Sequence, residues 1–253
     1  MKVLYSIGDS ITWGAELNDK RNRFSRIIAD ELGYIDFNCA SSGISNDRIF
    51  RNTIRDISKF LNDNKISNEE IGSIKAKDIF VLVQFTTPTR FDYFNGDVFL
   101  PERFWDNDKW GYKDIHRVTD NPYIINQTDA RASYVRMFQQ VLTLDSFLEK
   151  NNIPHLIVNG FVDFDENDCI LFDARTCEEK ILKIFDTTDD YFGLRNMYHL
   201  LPTSFKEPSL YRNLDNNCFA ERGHANKKGN LIIGDVLIKK IYDILKPKRK
   251  AQK

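Results

Sequence analysis

Apolar residues along the chain fall into two alternating patterns, short unbroken runs and stripes at helical spacing. Residues 2–7 form a run suited to a strand buried on both faces; Phe24, Ile27, Ile28 and Leu32 then recur at helical spacing until Gly33 stops them. A short strand over 34–38 leads to Cys39-Ala40-Ser41-Ser42-Gly43, and Phe50, Ile54, Ile57 and Leu61 trace a second helix with a polar outer face. Residues 79–83 and 154–158 read as further parallel strands, the latter preceded by a helix striped with Tyr134, Met137, Phe138, Val141, Leu144 and Leu148. An apolar-striped helix over 231–245 closes the pattern. Alternating strands and helices predict an α/β fold, a three-layer αβα arrangement around a flavodoxin-like parallel sheet of about five strands.

Two stretches interrupt this rhythm, about 85–128 and about 160–218, both longer than ordinary connections and therefore treated as insertions. The first carries ten aromatic residues, among them Phe91, Tyr93, Phe94, Trp105, Trp110 and Tyr112. Those rings suit either a subsidiary core or the wall of a cleft for sugar rings or acyl chains. One domain over 1–246 with a basic flexible tail over 247–253 accounts for the length of 253 residues.

Charge excludes more than it suggests. With 36 basic and 37 acidic residues the net charge is −1, which gives no whole-chain case for nucleic acid or an anionic membrane. No apolar run approaches membrane-spanning length and the N-terminus lacks a signal core, so a soluble cytoplasmic protein is expected. Cys39, Cys169, Cys177 and Cys218 are widely spaced and read as free thiols. His116, His155 and His199 have no partner at metal-ligand spacing, and the acidic turn at 163–168 lacks the glycine and distal glutamate of a calcium loop. Neither metal nor cofactor is expected.

Chemistry concentrates where the predicted strands end. Ile7-Gly8-Asp9-Ser10-Ile11-Thr12-Trp13-Gly14 puts a serine just after the first strand, where a nucleophile belongs; Asp9 reads as a structural turn residue. Far along the chain, Glu221-Arg222-Gly223-His224-Ala225-Asn226-Lys227-Lys228-Gly229 sets a carboxylate three residues before a histidine. A serine hydroxyl needs a base to accept its proton, a neutral imidazole can serve, and a carboxylate on the other ring nitrogen fixes its tautomer.

Taken together, these motifs resemble the SGNH (GDSL) hydrolase superfamily over about half of the chain, both insertions lying outside the likeness. The resemblance implies a serine esterase with Ser10 as nucleophile, His224 as base and Glu221 as orienting acid, glutamate standing where the family usually has aspartate. It further implies an oxyanion hole from the Ser10 and Gly43 amides, since Ala40-Ser41-Ser42-Gly43-Ile44-Ser45-Asn46 is similar to the second motif. The third motif diverges: Thr86 stands where the family has an asparagine donor, so its hydroxyl is the third candidate, and Gln84 replaces a glycine. Arg90, just beyond, is a candidate substrate-binding residue for a carboxylate or sugar hydroxyl. The implied substrate is a small-molecule or carbohydrate ester, most simply one bearing an acetyl or other small acyl group. An acyltransferase using the same serine, or a carbohydrate-binding scaffold that has lost hydrolysis, stands as the alternative.

Overall fold

The computed structural model describes residues 2–63, 65–66, 69–70, 75–88, 90–94, 110–114, 130–164, 169–173, 178–182, 194–212 and 214–246. Strand β1, Val3–Ile7, is buried at every position because it is central to a parallel sheet. Strand β2, Ile35–Asn38, flanks it on one side; β5, Ile79–Phe85, flanks it on the other, and β8, His155–Asn159, lies beyond β5. Val3 faces both Ile35 and Ile79, and Val83 faces Ile157, which sets the register.

Alternation along these strands divides the core into two layers. Val3, Tyr5, Ile7, Val81, Val83 and Ile157 pack under α3, Asn46–Asp63, and α4, Ala130–Lys150. Leu4, Phe80, Leu82, Leu156 and Val158 pack under α2, Phe24–Leu32, and α7, Lys227–Leu245. The three-layer αβα architecture is therefore as expected. Each fully buried aliphatic or phenyl side chain contributes about 1.5–3 kcal/mol to this arrangement.

The parallel sheet has four strands among the described residues, in the order β2-β1-β5-β8, against the expectation of about five. The outer edge of β8 is occupied instead by the chain around α6, Thr203–Lys206: Ser204 Oγ donates to the Ile157 carbonyl at 2.9 Å and Leu210 N to the Asn159 carbonyl at 3.0 Å. Those carbonyls are satisfied without a further strand. In α3 the buried face is also rotated from the expected stripe, for Ile49, Ile57 and Phe60 are buried while Leu61 is exposed. The cause is polar: Asp56 accepts from the buried Tyr5 hydroxyl at 3.0 Å, and this bond turns the Asp56 side of the helix inward. Burial, reinforced by the nearby Cys39 and Asp56, pushes the Tyr5 phenol well above its ordinary value.

Asn230 of α7 ties the other helical layer together. Arg23 precedes α2 without a side-chain cap, and Asn230 Oδ1 accepts from the Phe24 amide at 3.0 Å while its Nδ2 donates to the Ala225 and Asn226 carbonyls.

Both insertions contain strands. Within the first, β6, Arg90–Phe94, pairs antiparallel with β7, Trp110–Asp114. The second forms an antiparallel sheet of β9, Val162–Phe164, β10, Cys169–Asp173, and β11, Glu178–Leu182, followed by α5, Leu194–Leu200. Two-residue strands β3, Lys65–Ile66, and β4, Glu69–Glu70, follow α3. The aromatic side chains singled out in the first insertion, Cys177, His116 and the tail at 247–253 lie outside the described residues. Among the described residues no helix is long and apolar enough to cross a membrane.

His155 clasps α4 to β8. Burial opposes its charge, but Asp145 at 2.9 Å and the Ile153 carbonyl at 2.8 Å accept from its two ring nitrogens, and the net effect raises its pKa. A pKa raised on folding adds stability that is fully present below the unfolded value of about 6.5 and is lost as pH rises through the folded value. Asp145→Asn should therefore lose on the order of 1 kcal/mol relative to the parent at pH 6, and much less at pH 9, by urea unfolding. A difference that stays constant with pH would remove the ion pair from the account.

Candidate active site

Beyond Ile7 the chain turns at once into α1, Ser10–Trp13, a single helical turn capped by Asp9, whose carboxylate accepts from the Ile11 amide at 3.0 Å. Gln84, at the end of β5, makes this turn possible. Its Oε1 accepts from Asp9 N at 3.1 Å and from the Thr12 hydroxyl at 2.9 Å, and its Nε2 donates to the Phe85 carbonyl at 2.8 Å. A Cβ at Gly8 would lie 2.5 Å from Gln84 Oε1, and one at Gly160 would lie 2.4 Å from Nε2. So the glutamine that stands in for a motif glycine fills the space between two other glycines.

Ser10 is 5% exposed, and among the described residues nothing hydrogen-bonds its hydroxyl. Because the Asp9 carboxylate takes Ile11 N, the Ser10 amide is left without an acceptor among the described residues. The chain after β2 runs beside this turn, with Cys39 N donating to the Ser6 carbonyl and Ser41 N to the Gly8 carbonyl. Two residues on, Gly43 adopts φ +77°, a left-handed conformation that favours glycine, and its amide too has no carbonyl acceptor among the described residues.

Thr86 is engaged elsewhere than expected. Its hydroxyl donates to Asp9 Oδ2 at 2.7 Å, its amide donates to Asn46 Oδ1 at 2.8 Å, and Asn46 Nδ2 returns bonds to the Thr86 and Thr87 carbonyls. A hydroxyl carries one proton, so while this bond holds Thr86 has none for an oxyanion. Arg90 likewise turns to Asp9 Oδ2, at 3.0 Å, with its guanidinium 5.9 Å from the Phe161 ring. Two residues along β6, Asp92 accepts from Ser45 at 2.5 Å and Arg51 at 2.6 Å, and this buried carboxylate fixes the strand that carries Arg90.

His224 lies in a turn that closes back on itself: Gly223 N donates to the Ala220 carbonyl and Ala220 N to the His224 carbonyl at 2.8 Å. Glu221 is a central residue of that turn, and its side chain is exposed. The carboxylate on His224 Nδ1 is instead Glu16, at 2.6 Å. Glu16 also accepts from Arg222 N at 2.9 Å and His224 N at 3.2 Å; burial works to raise its pKa, but these donors outweigh it and the net shift is downward. A carboxylate only accepts, so the proton belongs on Nδ1, leaving Nε2 as an acceptor. Next in sequence, Ala225 N donates to the Tyr211 hydroxyl at 3.1 Å, and the Tyr211 ring packs edge-on against Phe161 at 5.3 Å. Burial pushes the Tyr211 phenol far up, and the charges of Asp9 and Glu16 reinforce the shift.

Asp9, expected to be a structural turn residue, caps the turn that carries Ser10 and also accepts from Thr86 and Arg90, whereas the contact of Glu16 with His224 was not anticipated from the sequence. No local pattern pairs residues 208 apart, and Glu16 offers only its position shortly after the serine motif. Among the described residues no group of three His, Cys, Asp or Glu side chains is placed to hold a metal ion.

A sequence model of DUF6071, a family of unknown function, matches residues 9–193, well over half of the chain. The protein belongs to this family. The DUF6071 match includes Ser10, Glu16, Gly43, Thr86 and Arg90 and ends before the loop of His224. No curated protein matches by sequence. Among solved structures, TesA is 10% identical over 96% of this chain and 100% of its own, with a TM-score of 0.51. The psychrotrophic esterase EstA from Pseudoalteromonas sp. is 10% identical over 98% and 100%, with a TM-score of 0.49. A member of the lipolytic protein G-D-S-L family from Veillonella parvula DSM 2008 is 12% identical over 94% and 97%, at 0.45. The likeness to TesA is one of fold, and function has to be argued from the site.

The role of Gln84 is testable through stability. Gln84→Leu keeps most of the volume but leaves Asp9 N and the Thr12 hydroxyl buried without their acceptor, and should lower unfolding free energy by about 1–3 kcal/mol in urea. A loss below about 0.5 kcal/mol would show that the turn does not depend on it.

Proposed function

We propose that this protein is a serine-dependent ester hydrolase of the SGNH type that removes a small acyl group, most simply acetyl, from a carbohydrate or small metabolite. The observation that carries the reading is the Glu16–His224 pair, which holds a histidine with Nε2 as acceptor on a loop docked beside the chain that leaves Ser10. In this mechanism Nε2 takes the Ser10 proton as Oγ attacks the ester carbonyl, and returns it to the departing alcohol. Water then repeats the sequence on the acyl-enzyme. The Ser10 and Gly43 amides receive the oxyanion, both lacking acceptors among the described residues. Thr86 and Arg90 act on this hole through Asp9, whose other oxygen fixes the Ile11 amide and with it the serine turn. Trp13, 39% exposed and three residues from Ser10, offers an apolar ring suited to the face of a sugar.

A binding scaffold is the second reading, favoured by one observation: among the described residues no hydrogen bond joins the Ser10 hydroxyl to His224. Such bonds commonly tighten only when substrate arrives, which keeps hydrolysis the stronger reading.

Turnover of p-nitrophenyl acetate, with fluorophosphonate labelling of Ser10 followed by mass spectrometry, decides between them. Ser10→Ala and His224→Ala should each lower kcat by at least about 10³-fold while leaving the circular dichroism spectrum intact. Turnover unchanged in either variant sinks the assignment, and neither turnover nor labelling in the parent favours the scaffold.

A further inference from the structure

We infer that Glu16, not the acid three residues before the histidine, is the positioning acid for His224, and that it does this by clamping the base loop onto the segment that follows the nucleophile. The catalytic consequence rests on the hydrolase reading above; the placement rests on geometry alone. Three donors converge on one carboxylate: the Arg222 amide on Oε1, and the His224 amide and imidazole on Oε2. A side chain that touched only the ring would orient it about one bond. Glu16 also holds the backbone on either side of Gly223, so ring and loop are fixed as a unit.

The rest of the loop is held to match. The His224 carbonyl accepts from Ala220 N, Ala225 N is on the Tyr211 hydroxyl, and Asn226 Nδ2 donates to the Asn217 and Phe219 carbonyls. On the other side, Ala15 N donates to the Ser10 carbonyl at 2.9 Å, and Gly14 N to the Ile11 and Ser10 carbonyls, which ties the chain leading to Glu16 back onto the serine. The two residues Ala15 and Glu16 thus couple the serine turn to the histidine loop across 214 residues of sequence.

Backbone geometry supports a demanding placement. Glu16 has φ +62°, and among the described residues only Asn152 is another non-glycine residue with positive φ. Glutamate gains little locally from a left-handed conformation, so the surroundings hold it there, and such outliers cluster where a side chain must point in one direction. Glu221 occupies the tip of the turn at the opposite end of the loop, exposed, and takes no part in this arrangement among the described residues.

Two readouts on the full chain test the inference. The first is the ¹⁵N signature of the His224 ring in uniformly labelled protein near pH 8, assigned with His224→Gln. The parent and Glu221→Ala should show the proton on Nδ1, and Glu16→Ala should shift the ring toward the Nε2–H form. The second is steady-state hydrolysis of p-nitrophenyl acetate, in which Glu16→Gln should lower kcat by about 10²- to 10⁴-fold with KM changed less than about threefold. Glu221→Gln should stay within about twofold of the parent in kcat. An Nδ1–H signature that survives Glu16→Ala in a folded protein, or a larger kcat loss for Glu221→Gln than for Glu16→Gln, overturns the inference. Failure of the hydrolase reading is distinct: it appears as no Ser10-dependent turnover in the parent, while the ring signature still reports which acid holds His224.

Discussion

An ionised carboxylate removed from water costs several kcal/mol unless donors fill its oxygens, and Asp9 is fully buried. Much of the site is arranged to meet that requirement. Oδ1 takes the Ile11 amide and so shapes the turn that presents Ser10; Oδ2 takes the Thr86 hydroxyl and the Arg90 guanidinium. Two segments distant in sequence, the end of β1 and the stretch from Thr86 to Arg90 that follows β5, are thereby drawn to one atom group. The divergence of the third motif follows from the same demand: a threonine and an arginine surround Asp9 where the SGNH resemblance implies an asparagine aimed at substrate. The Thr86 hydroxyl, a candidate oxyanion donor in the sequence, instead donates to Asp9 and so supports the turn that carries Ser10.

Gln84 belongs to this logic. A glycine at its position would leave Asp9 N and the Thr12 hydroxyl without acceptors and an empty space between Gly8 and Gly160. The glutamine fills the space and both bonds at once, which is why the two flanking positions admit no side chain. The departures at 84 and 86 therefore meet at Asp9, and reverting Gln84 alone to glycine would leave Asp9 N and the Thr12 hydroxyl unmatched.

The layered fold was legible in the sequence because strand burial and helical stripes are periodic, and periodicity survives without knowledge of contacts. Ser10, Gly43 and His224 were legible because each lies where a predicted strand ends or a helix begins. Three features were not. The buried face of α3 includes Asp56, held inward by the Tyr5 hydroxyl, and a charged residue beside an apolar stripe gives no sign of which way it faces. That the parallel sheet ends at β8 among the described residues reflects Ser204 and Leu210 satisfying its edge, a role any short segment with a hydroxyl or amide in the right place can play. Glu16 was hidden because the acid-x-x-His spacing supplied a nearer candidate, and nearness in sequence is a poor guide inside a tight turn, where residues at the tip point away from those at the base.

Tyr211 shows how these elements constrain one another. Its hydroxyl accepts from Ala225 N, next to His224, while the charges of Asp9 and Glu16 both bear on it and its ring stacks edge-on with Phe161 and Phe219. Burial and those two charges both favour the neutral phenol, so Tyr211 tolerates a neighbourhood that would oppose a further anion. Asp9 caps the turn that carries Ser10 and Glu16 holds His224, so the two carboxylates each organise one half of the proposed site. Tyr211 thus adds a buried ring and one polar atom beside the His224 loop without adding charge there.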